Sequence, residues 1–251
     1  MLLLALLSLS SHANFNMQNV SSSDEKSLCE IDNREVSQNM AVARMLENEK
    51  SYSPCTATLI GKRCLITAGH CKPSKNNWIT EFNTPLSSPV TGKLIHSNKE
   101  DIYDLDKIYG VLDAYVGKDW LVYSVKANSY TNKLPGELYS PYSISFELPE
   151  VGIELQITGY GTDSEKRYNN AQQESFGPLI QVENARTTLI YRVDTTGGNS
   201  GSAIVNATTN EIIGIHSHGG CIGEYAGNKG TLITGNDDLI KAINQCLTDD
   251  Q

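Results

Sequence analysis

The sequence has little positive charge. It carries 20 lysines and arginines against 29 aspartates and glutamates, a formal net charge of -9. It has no extended run of lysine and arginine, the pattern that nucleic-acid-binding segments show. Nucleic acid is therefore not expected as a partner. The net charge does not decide the substrate, because the local field of a pocket can oppose it.

The sequence also lacks an apolar run long enough to span a bilayer. Its most apolar run, 1–10, is short, and Ser11, His12 and Ala13 then supply a small-residue site of the kind that signal peptidases cut. We therefore expect a signal peptide at 1–13 and a protein that is exported to an extracellular or periplasmic location, without a membrane partner. Residues 14–30 are polar and are predicted to be a propeptide or flexible arm.

Paired C-x-x-C spacing, phosphate loops and cofactor motifs are missing, so neither a metal nor a cofactor is expected. The even number of cysteines in an exported chain instead indicates disulfides. The six are Cys29, Cys55, Cys64, Cys71, Cys221 and Cys246.

Short apolar runs separated by turn-forming residues dominate the rest of the 251-residue chain. This pattern is typical of all-β barrels or sandwiches. The clearest strands are predicted at 56–60, 64–67, 121–125, 153–158, 189–193 and 212–216. A stretch rich in Pro, Ser and Tyr, 126–142, is predicted to link two halves. One amphipathic helix is expected at the C-terminus, capped by Asn236, with Asp237 and Asp238 in its first turn.

Ser200 lies in a glycine-rich segment, Thr-Thr-Gly-Gly-Asn-Ser-Gly-Ser-Ala at 195–203. Glycines allow a tight loop that points several N–H groups in one direction, as an oxyanion site requires. A serine is a useful nucleophile only beside a base. Taken alone, the segment fits an ordinary turn equally well.

His70 lies in the segment Leu-Ile-Thr-Ala-Gly-His-Cys at 65–71, directly before Cys71. Cys55 precedes Cys71 by 16 positions, so a disulfide between them would close a short loop and fix the turn that carries His70. Loop entropy gives such a bridge a stabilising effect of about 3 kcal/mol.

An acid must hold the imidazole of a catalytic histidine in one tautomer. Asp119 stands directly before an apolar strand and is the best candidate. Four other aspartates lie in more polar or turn-like sequence and are weaker candidates: Asp101, Asp104, Asp106 and Asp113.

Three segments together resemble the motifs of trypsin-like serine peptidases: Cys-Thr-Ala-Thr-Leu-Ile-Gly with the His70 segment, Asp-Trp-Leu-Val at 119–122, and Gly-Asn-Ser-Gly-Ser-Ala at 198–203. Their order, His-Asp-Ser, also matches. The resemblance implies a serine endopeptidase that forms an acyl-enzyme, with His70, Asp119 and Ser200 as its triad and the N–H groups of Gly198 and Ser200 as oxyanion donors. It implies two six-stranded antiparallel β-barrels followed by the helix. The first barrel would occupy 31–130, and the second, with the helix, 131–251.

The match is nearest to bacterial glutamyl endopeptidases, through Gly-Asn-Ser-Gly-Ser, Gly-Ile-His at 214–216, Ile-Thr-Gly-Tyr at 157–160 and Asp-Asn-Arg at 32–34. By this resemblance Thr195 and His216 line the primary specificity pocket and bind a glutamate side chain. The competing interpretation is cleavage after Arg or Lys through Asp194, six residues before Ser200. Asp194 does not decide between the two interpretations, because some Glu-preferring relatives also carry an aspartate there, and we favour glutamate.

The resemblance also implies that Ser217, His218 and Gly219 form the strand that pairs with the substrate backbone, although His218 fits a cleft-wall position equally well. It favours a Cys64–Cys246 bridge, which leaves Cys29 with Cys221. We expect protein or peptide substrates and a monomer. The alternative from another functional class is a non-catalytic binding module on the same fold.

Overall fold

The structure is a computed structural model, and it describes residues 27–29, 31–75, 77–183, 185–223 and 226–250. The predicted signal peptide and most of the predicted propeptide arm lie outside the described residues. Among the described residues, no helix is long and apolar enough to cross a membrane.

The first barrel closes six antiparallel strands on themselves. A two-residue strand, β1 (Glu35–Val36), precedes it. The barrel strands are β2 (Val42–Leu46), β3 (Cys55–Leu59), β4 (Cys64–Thr67), β5 (Ile79–Glu81), β6 (Ile102–Tyr115) and β7 (Lys118–Val125). They pair in the circular order β2-β3-β4-β7-β6-β5. The interior contains several large aromatic side chains, among them Trp78, Phe82, Tyr103 and Tyr123, all fully buried.

The second barrel follows a connection that contains a short strand, β8 (Ser143–Ile144), which pairs with the second barrel in parallel. The barrel strands are β9 (Glu154–Gly159), β10 (Gln173–Glu183), β11 (Thr188–Tyr191), β12 (Ala203–Asn206), β13 (Glu211–His218) and β14 (Asn228–Leu232). Antiparallel pairing runs β10-β11-β14-β13-β12-β9, and β9 pairs with β10 to close the circuit. The predicted all-β fold of two six-stranded barrels is therefore confirmed, and each of the six predicted runs overlaps a strand.

Short 3-10 helices occur outside the barrels, at Gly69–Cys71, Lys99–Asp101 and Pro135–Glu137. The last lies in the segment predicted to link the barrels, where the Gly136 N–H donates to the Lys62 carbonyl at 2.7 Å. The connection is thus attached to the surface of the first barrel.

Two elements, one near each end of the described chain, contact the opposite barrel. Strand β1 lies within the range predicted for the first barrel, yet it pairs with β10 of the second. The C-terminal helix α1 (Asp237–Asp249) packs against β4, β6 and β7 of the first barrel. A disulfide between Cys64 on β4 and Cys246 on α1 fastens that contact. These contacts tie the barrels together and define the cleft between them.

The start of α1 differs from expectation. Asn236 occupies the N-cap position, but its side chain makes no capping hydrogen bond to the helix. Its side-chain amide instead donates to the carbonyl of Leu232, four residues earlier in the chain, at 2.7 Å. Asp237 and Asp238 remain in the first turn, where negative charge favours the helix dipole. The prediction of an Asn236 side-chain cap is wrong, because the buried side chain is hydrogen-bonded to the carbonyl at the end of β14 instead.

Candidate active site

His70 is presented by a tight turn at the end of β4. The turn is the 3-10 helix Gly69–Cys71. A Cβ at position 69 would overlap the Leu112 carbonyl, so the close approach of β6 requires glycine there. Cys71 is bonded to Cys55 on β3, with the two Cα atoms 6.0 Å apart. The turn is therefore held by a neighbouring strand on one side and by a covalent bridge on the other.

Asp119, on β7, engages His70 twice. Its Oδ2 lies 2.6 Å from Nδ1 of His70, and its Oδ1 accepts the His70 backbone N–H at 3.0 Å. The hydrogen bond to Asp119 raises the pKa of His70, against the opposing effect of burial. Burial alone would raise the pKa of Asp119, but the hydrogen bonds and charge of His70 outweigh it and lower that pKa. The pair therefore favours an imidazole with its hydrogen on Nδ1, which leaves Nε2 free to accept a proton.

The second barrel holds the backbone of Asp119. Thr231 Oγ1 on β14 accepts the Asp119 N–H at 3.2 Å and donates to the Asp119 carbonyl at 2.9 Å. The acid is thus fixed by both barrels, and only 2% of its side chain is exposed, against 35% for His70. In the described structure, none of the four weaker candidates (Asp101, Asp104, Asp106 and Asp113) forms a hydrogen bond or ion pair with His70.

Ser200 lies in the loop between β11 and β12, beside the turn of His70. Its carbonyl accepts the Thr56 N–H at 2.8 Å and lies 3.6 Å from Cys71 Sγ. No hydrogen bond joins the Ser200 hydroxyl to His70 among the described residues. Hydrogen bonds of this kind are often open in substrate-free structures and close when a substrate binds.

The same loop leaves two backbone N–H groups available. Gly198 has φ of +106°, and a side chain there would collide with the Tyr160 carbonyl, so the conformation requires glycine. Within the described part of the chain, neither the Gly198 N–H nor the Ser200 N–H donates a hydrogen bond. Two unpaired donors next to a serine are the groups that an oxyanion site needs.

His216 and Thr195 are both buried and both have a buried partner. Nδ1 of His216 lies 2.5 Å from Oη of Tyr191. Thr195 Oγ1 accepts a hydrogen bond from the Asn228 side-chain amide at 3.0 Å. Burial, together with the positive charges of nearby histidines, lowers the pKa of His216 to about 3. His216 is therefore a neutral imidazole at any ordinary pH.

Asp194 forms no hydrogen bond with the side chain of His216 or Thr195 in the described structure. Its Oδ1 accepts the Cys29 N–H at 2.6 Å, and its Oδ2 accepts the Asn33 N–H at 2.9 Å. The carboxylate is buried, with 3% of the residue exposed. It therefore anchors the N-terminal segment of the described chain.

The segment Ser217, His218 and Gly219 runs past His70. Nδ1 of His218 lies 2.8 Å from Oγ of Ser217, and its ring meets the His70 ring edge-on at 6.1 Å between centroids. Burial lowers the pKa of His218 as well. Gly219 is covered by Ser27, with which any side chain at 219 would collide.

Residues 27–29 extend along this part of the cleft. The Ser27 carbonyl accepts the Thr195 N–H at 3.2 Å and the Asn228 amide at 2.7 Å. A disulfide joins Cys29 to Cys221 and holds the segment in place. All six cysteines are thus bridged in the structure.

A histidine and two cysteines, Cys55, His70 and Cys71, lie close enough together to suggest a metal site. Both sulfurs belong to one disulfide and are not thiolates, so they cannot serve as ligands while the bridge is intact. This grouping therefore has no metal-binding chemistry in the oxidised protein.

Three residues that position the site are not among those predicted from the sequence: Tyr191, Asn228 and Thr231. Each lies on a barrel strand, and position in the chain does not show which strand residues meet across a barrel. Tyr191 did carry a weak signal, because a tyrosine in an apolar run needs a partner for its hydroxyl once it is buried.

Comparison with known proteins agrees with this fold. The chain has a TM-score of 0.62 and 20% identity to a Glu endopeptidase solved in complex with MPD, over 85% of this chain and 93% of that one. It has a TM-score of 0.63 and 13% identity to the thermostable serine protease AL20 from an extremophilic microorganism, over 84% and 98% of the two chains. At these identities the likeness establishes the fold alone. No curated protein matches the chain.

The family comparison goes further than the fold. The model of the family described as Trypsin matches residues 31–243, which include both barrels and most of the terminal helix. The chain therefore belongs to the trypsin family of serine endopeptidases.

Proposed function

We propose that this serine endopeptidase cuts peptide bonds with Ser200 as nucleophile, His70 as general base and Asp119 as the group that orients His70. The observation that carries the proposal is the His70–Asp119 pair, whose 2.6 Å hydrogen bond lies beside the serine loop. The two unpaired N–H groups of Gly198 and Ser200 support it as donors for a developing oxyanion.

In the proposed reaction, Ser200 Oγ attacks the carbonyl carbon while its proton moves to Nε2 of His70. The negative charge that develops on the carbonyl oxygen is stabilised by the N–H groups of Gly198 and Ser200. The imidazolium then gives its proton to the leaving amine, and the carbon–nitrogen bond breaks. A water molecule repeats the sequence on the acyl-enzyme and releases the acid.

We further propose that the enzyme prefers glutamate on the acyl side of the cut bond. Thr195 and His216 would bind its carboxylate, since both side chains can donate hydrogen bonds. Asp194 is the main objection, because a carboxylate in the pocket would attract Arg or Lys. Its two oxygens already accept the Cys29 and Asn33 N–H groups, which supports glutamate over the basic alternative.

Export and activation belong to the same proposal. Three disulfides are typical of proteins outside the reducing cytosol, and a signal peptide at 1–13 would account for export.

We propose that an N-terminal segment is removed by a cut between Lys26 and Ile31. The contacts of Ser27 with Thr195 and Asn228 support this, because a cut there changes groups that touch the specificity residues.

The test is a set of matched peptides that differ only at the residue before the cut: Glu, Asp, Arg and Phe. The processed enzyme should cleave the Glu peptide with the highest kcat/KM, and Ser200→Ala should lose turnover by several powers of ten while it keeps its fold. Preferred cleavage after Arg or Lys would overturn the glutamate proposal. Turnover that survives in Ser200→Ala would overturn the triad, and a correctly folded, processed wild type with no activity on any peptide would point to a binding module.

A further inference from the structure

The buried partner of His216 fixes which of its ring nitrogens carries hydrogen. Tyr191 and His216 are both buried, and their contact is 2.5 Å long. Tyr191 Oη has no second partner among the described residues, so its hydrogen would be unpaired unless it is donated to Nδ1 of His216. Burial also raises the pKa of Tyr191 well above its ordinary value, which keeps the phenol protonated. Nδ1 is therefore the acceptor.

A neutral imidazole that accepts at Nδ1 carries its hydrogen on Nε2. Within the described structure Nε2 of His216 has no hydrogen-bond partner. His216 is thus left with one unused donor and no unused acceptor.

Asn228 leaves the hydrogen of the Thr195 hydroxyl unused. The Asn228 amide is oriented by its neighbours: Oδ1 accepts the Gly220 N–H at 2.9 Å, so Nδ2 is the atom that faces Thr195, at 3.0 Å. Nδ2 also donates to the Ser27 and Val193 carbonyls and cannot accept, so the Thr195 hydroxyl finds no acceptor for its own hydrogen among the described residues. Thr195 is completely buried, so its unused hydrogen is a second donor without a partner.

The two positioning side chains belong to one scaffold. Tyr191 on β11 and Asn228 on β14 are directly paired across the antiparallel strands, and neither has exposed surface. Side chains at directly opposed positions share a face of the sheet. One pair of strands thus controls the hydrogen-bonding direction of both His216 and Thr195.

We propose that Tyr191 and Asn228 are positioning residues that leave His216 with only a donor and Thr195 with an unused donor, so that the specificity pocket separates glutamate from glutamine by hydrogen-bond polarity and needs no positively charged side chain. This rests on the proposed glutamate preference. Two unused donors match the two oxygens of a carboxylate, which only accepts hydrogen bonds. A glutamine amide has a single accepting oxygen beside its NH₂ group. If the NH₂ group faces His216, two donors oppose each other, and if it faces Thr195, the Thr195 hydrogen is left without an acceptor; a buried polar group without a partner is strongly disfavoured.

The test compares Glu and Gln peptides of otherwise identical sequence in the processed enzyme and in Tyr191→Phe. Without the phenol, His216 is free to carry its hydrogen on Nδ1 and to accept from glutamine at Nε2. The Glu/Gln ratio of kcat/KM should then fall about tenfold, chiefly through KM. Tyr103→Phe is the matched control, because Tyr103 is also fully buried, in the first barrel, and its hydroxyl has no described partner. It should leave the ratio unchanged.

The outcomes separate this inference from the glutamate proposal. A wild type that prefers Glu to Phe but cleaves Glu and Gln equally would overturn this inference and leave the glutamate proposal standing. A Tyr191→Phe enzyme with the wild-type Glu/Gln ratio would also overturn the inference. A wild type with no preference for Glu would overturn both the glutamate proposal and this inference, which rests on it.

A measurement on the wild-type protein does not depend on any variant folding. Nitrogen-15 NMR of the His216 ring should show the hydrogen on Nε2 and an acceptor nitrogen at Nδ1. Hydrogen on Nδ1 would contradict the assigned role of Tyr191, whatever the activity of the enzyme.

Discussion

Two histidines in one cleft have opposite surroundings. His70, on the first barrel, has a carboxylate 2.6 Å from its Nδ1, and its pKa is raised. His216, on the second barrel, has a phenol 2.5 Å from the same ring atom, and its pKa is lowered to about 3. The distances are nearly equal, so the chemical nature of the partner, together with burial, sets the role of each ring. A charged acceptor prepares His70 to become an imidazolium, whereas a neutral donor and burial keep His216 an uncharged donor.

The difference follows from where each ring lies. His70 is 35% exposed, so its protonated form retains contact with water. His216 is 3% exposed and has no carboxylate partner in the described structure, so a charge on it would be costly. The two rings therefore differ in chemistry: His70 can take up a proton, whereas His216 stays neutral.

The largest expected effect on activity comes from removing the carboxylate charge beside His70. Asp119→Asn should lower kcat about 10⁴-fold, since an amide favours the wrong tautomer and does not stabilise the imidazolium. Asp113→Asn is the matched control: Asp113 is paired with Asp119 across β6 and β7 but makes no hydrogen bond to His70 in the described structure. It should retain most of the activity. Near-normal turnover in Asp119→Asn would remove Asp119 from the triad.

A smaller effect is expected from removing His216, the proposed recognition group. His216→Ala should lower kcat/KM for Glu peptides about 10- to 100-fold through the lost hydrogen bond, with a weaker effect on Phe peptides. His218→Ala is the control, because its half-buried ring faces His70; it should affect Glu and Phe peptides alike. Equal losses for both peptides in His216→Ala would argue against a specificity role.

The motifs around His70, Asp119 and Ser200 could be predicted because each is a short stretch of sequence with its own local chemistry. The same applies to the strands, whose apolar runs are continuous in the chain. Tyr191 looked like one more residue of a core strand, since its contact with His216 depends on how β11 meets β13 and β14 in the closed barrel.

The role of Asp194 was equally hidden in the sequence. Its distance from Ser200 along the chain fits a basic-residue pocket, and only the folded path of the N-terminal segment turns its oxygens toward Cys29 and Asn33. The contacts of β1 and α1 with the opposite barrels likewise have no signal in the local sequence. Contacts between distant segments are set by the assembled barrels, and local patterns do not encode them.

The most direct test of the contrast between the two histidines is a pH titration of both rings by NMR in the folded Ser200→Ala protein. We expect His70 to titrate above the ordinary value of about 6.5. In the active enzyme kcat/KM should rise as the pH passes through this raised pKa of His70, because the base must be neutral. His216 should stay neutral, with hydrogen on Nε2, down to pH 5. A His216 ring that is protonated near neutral pH, or a His70 ring that titrates below its ordinary value, would contradict the account.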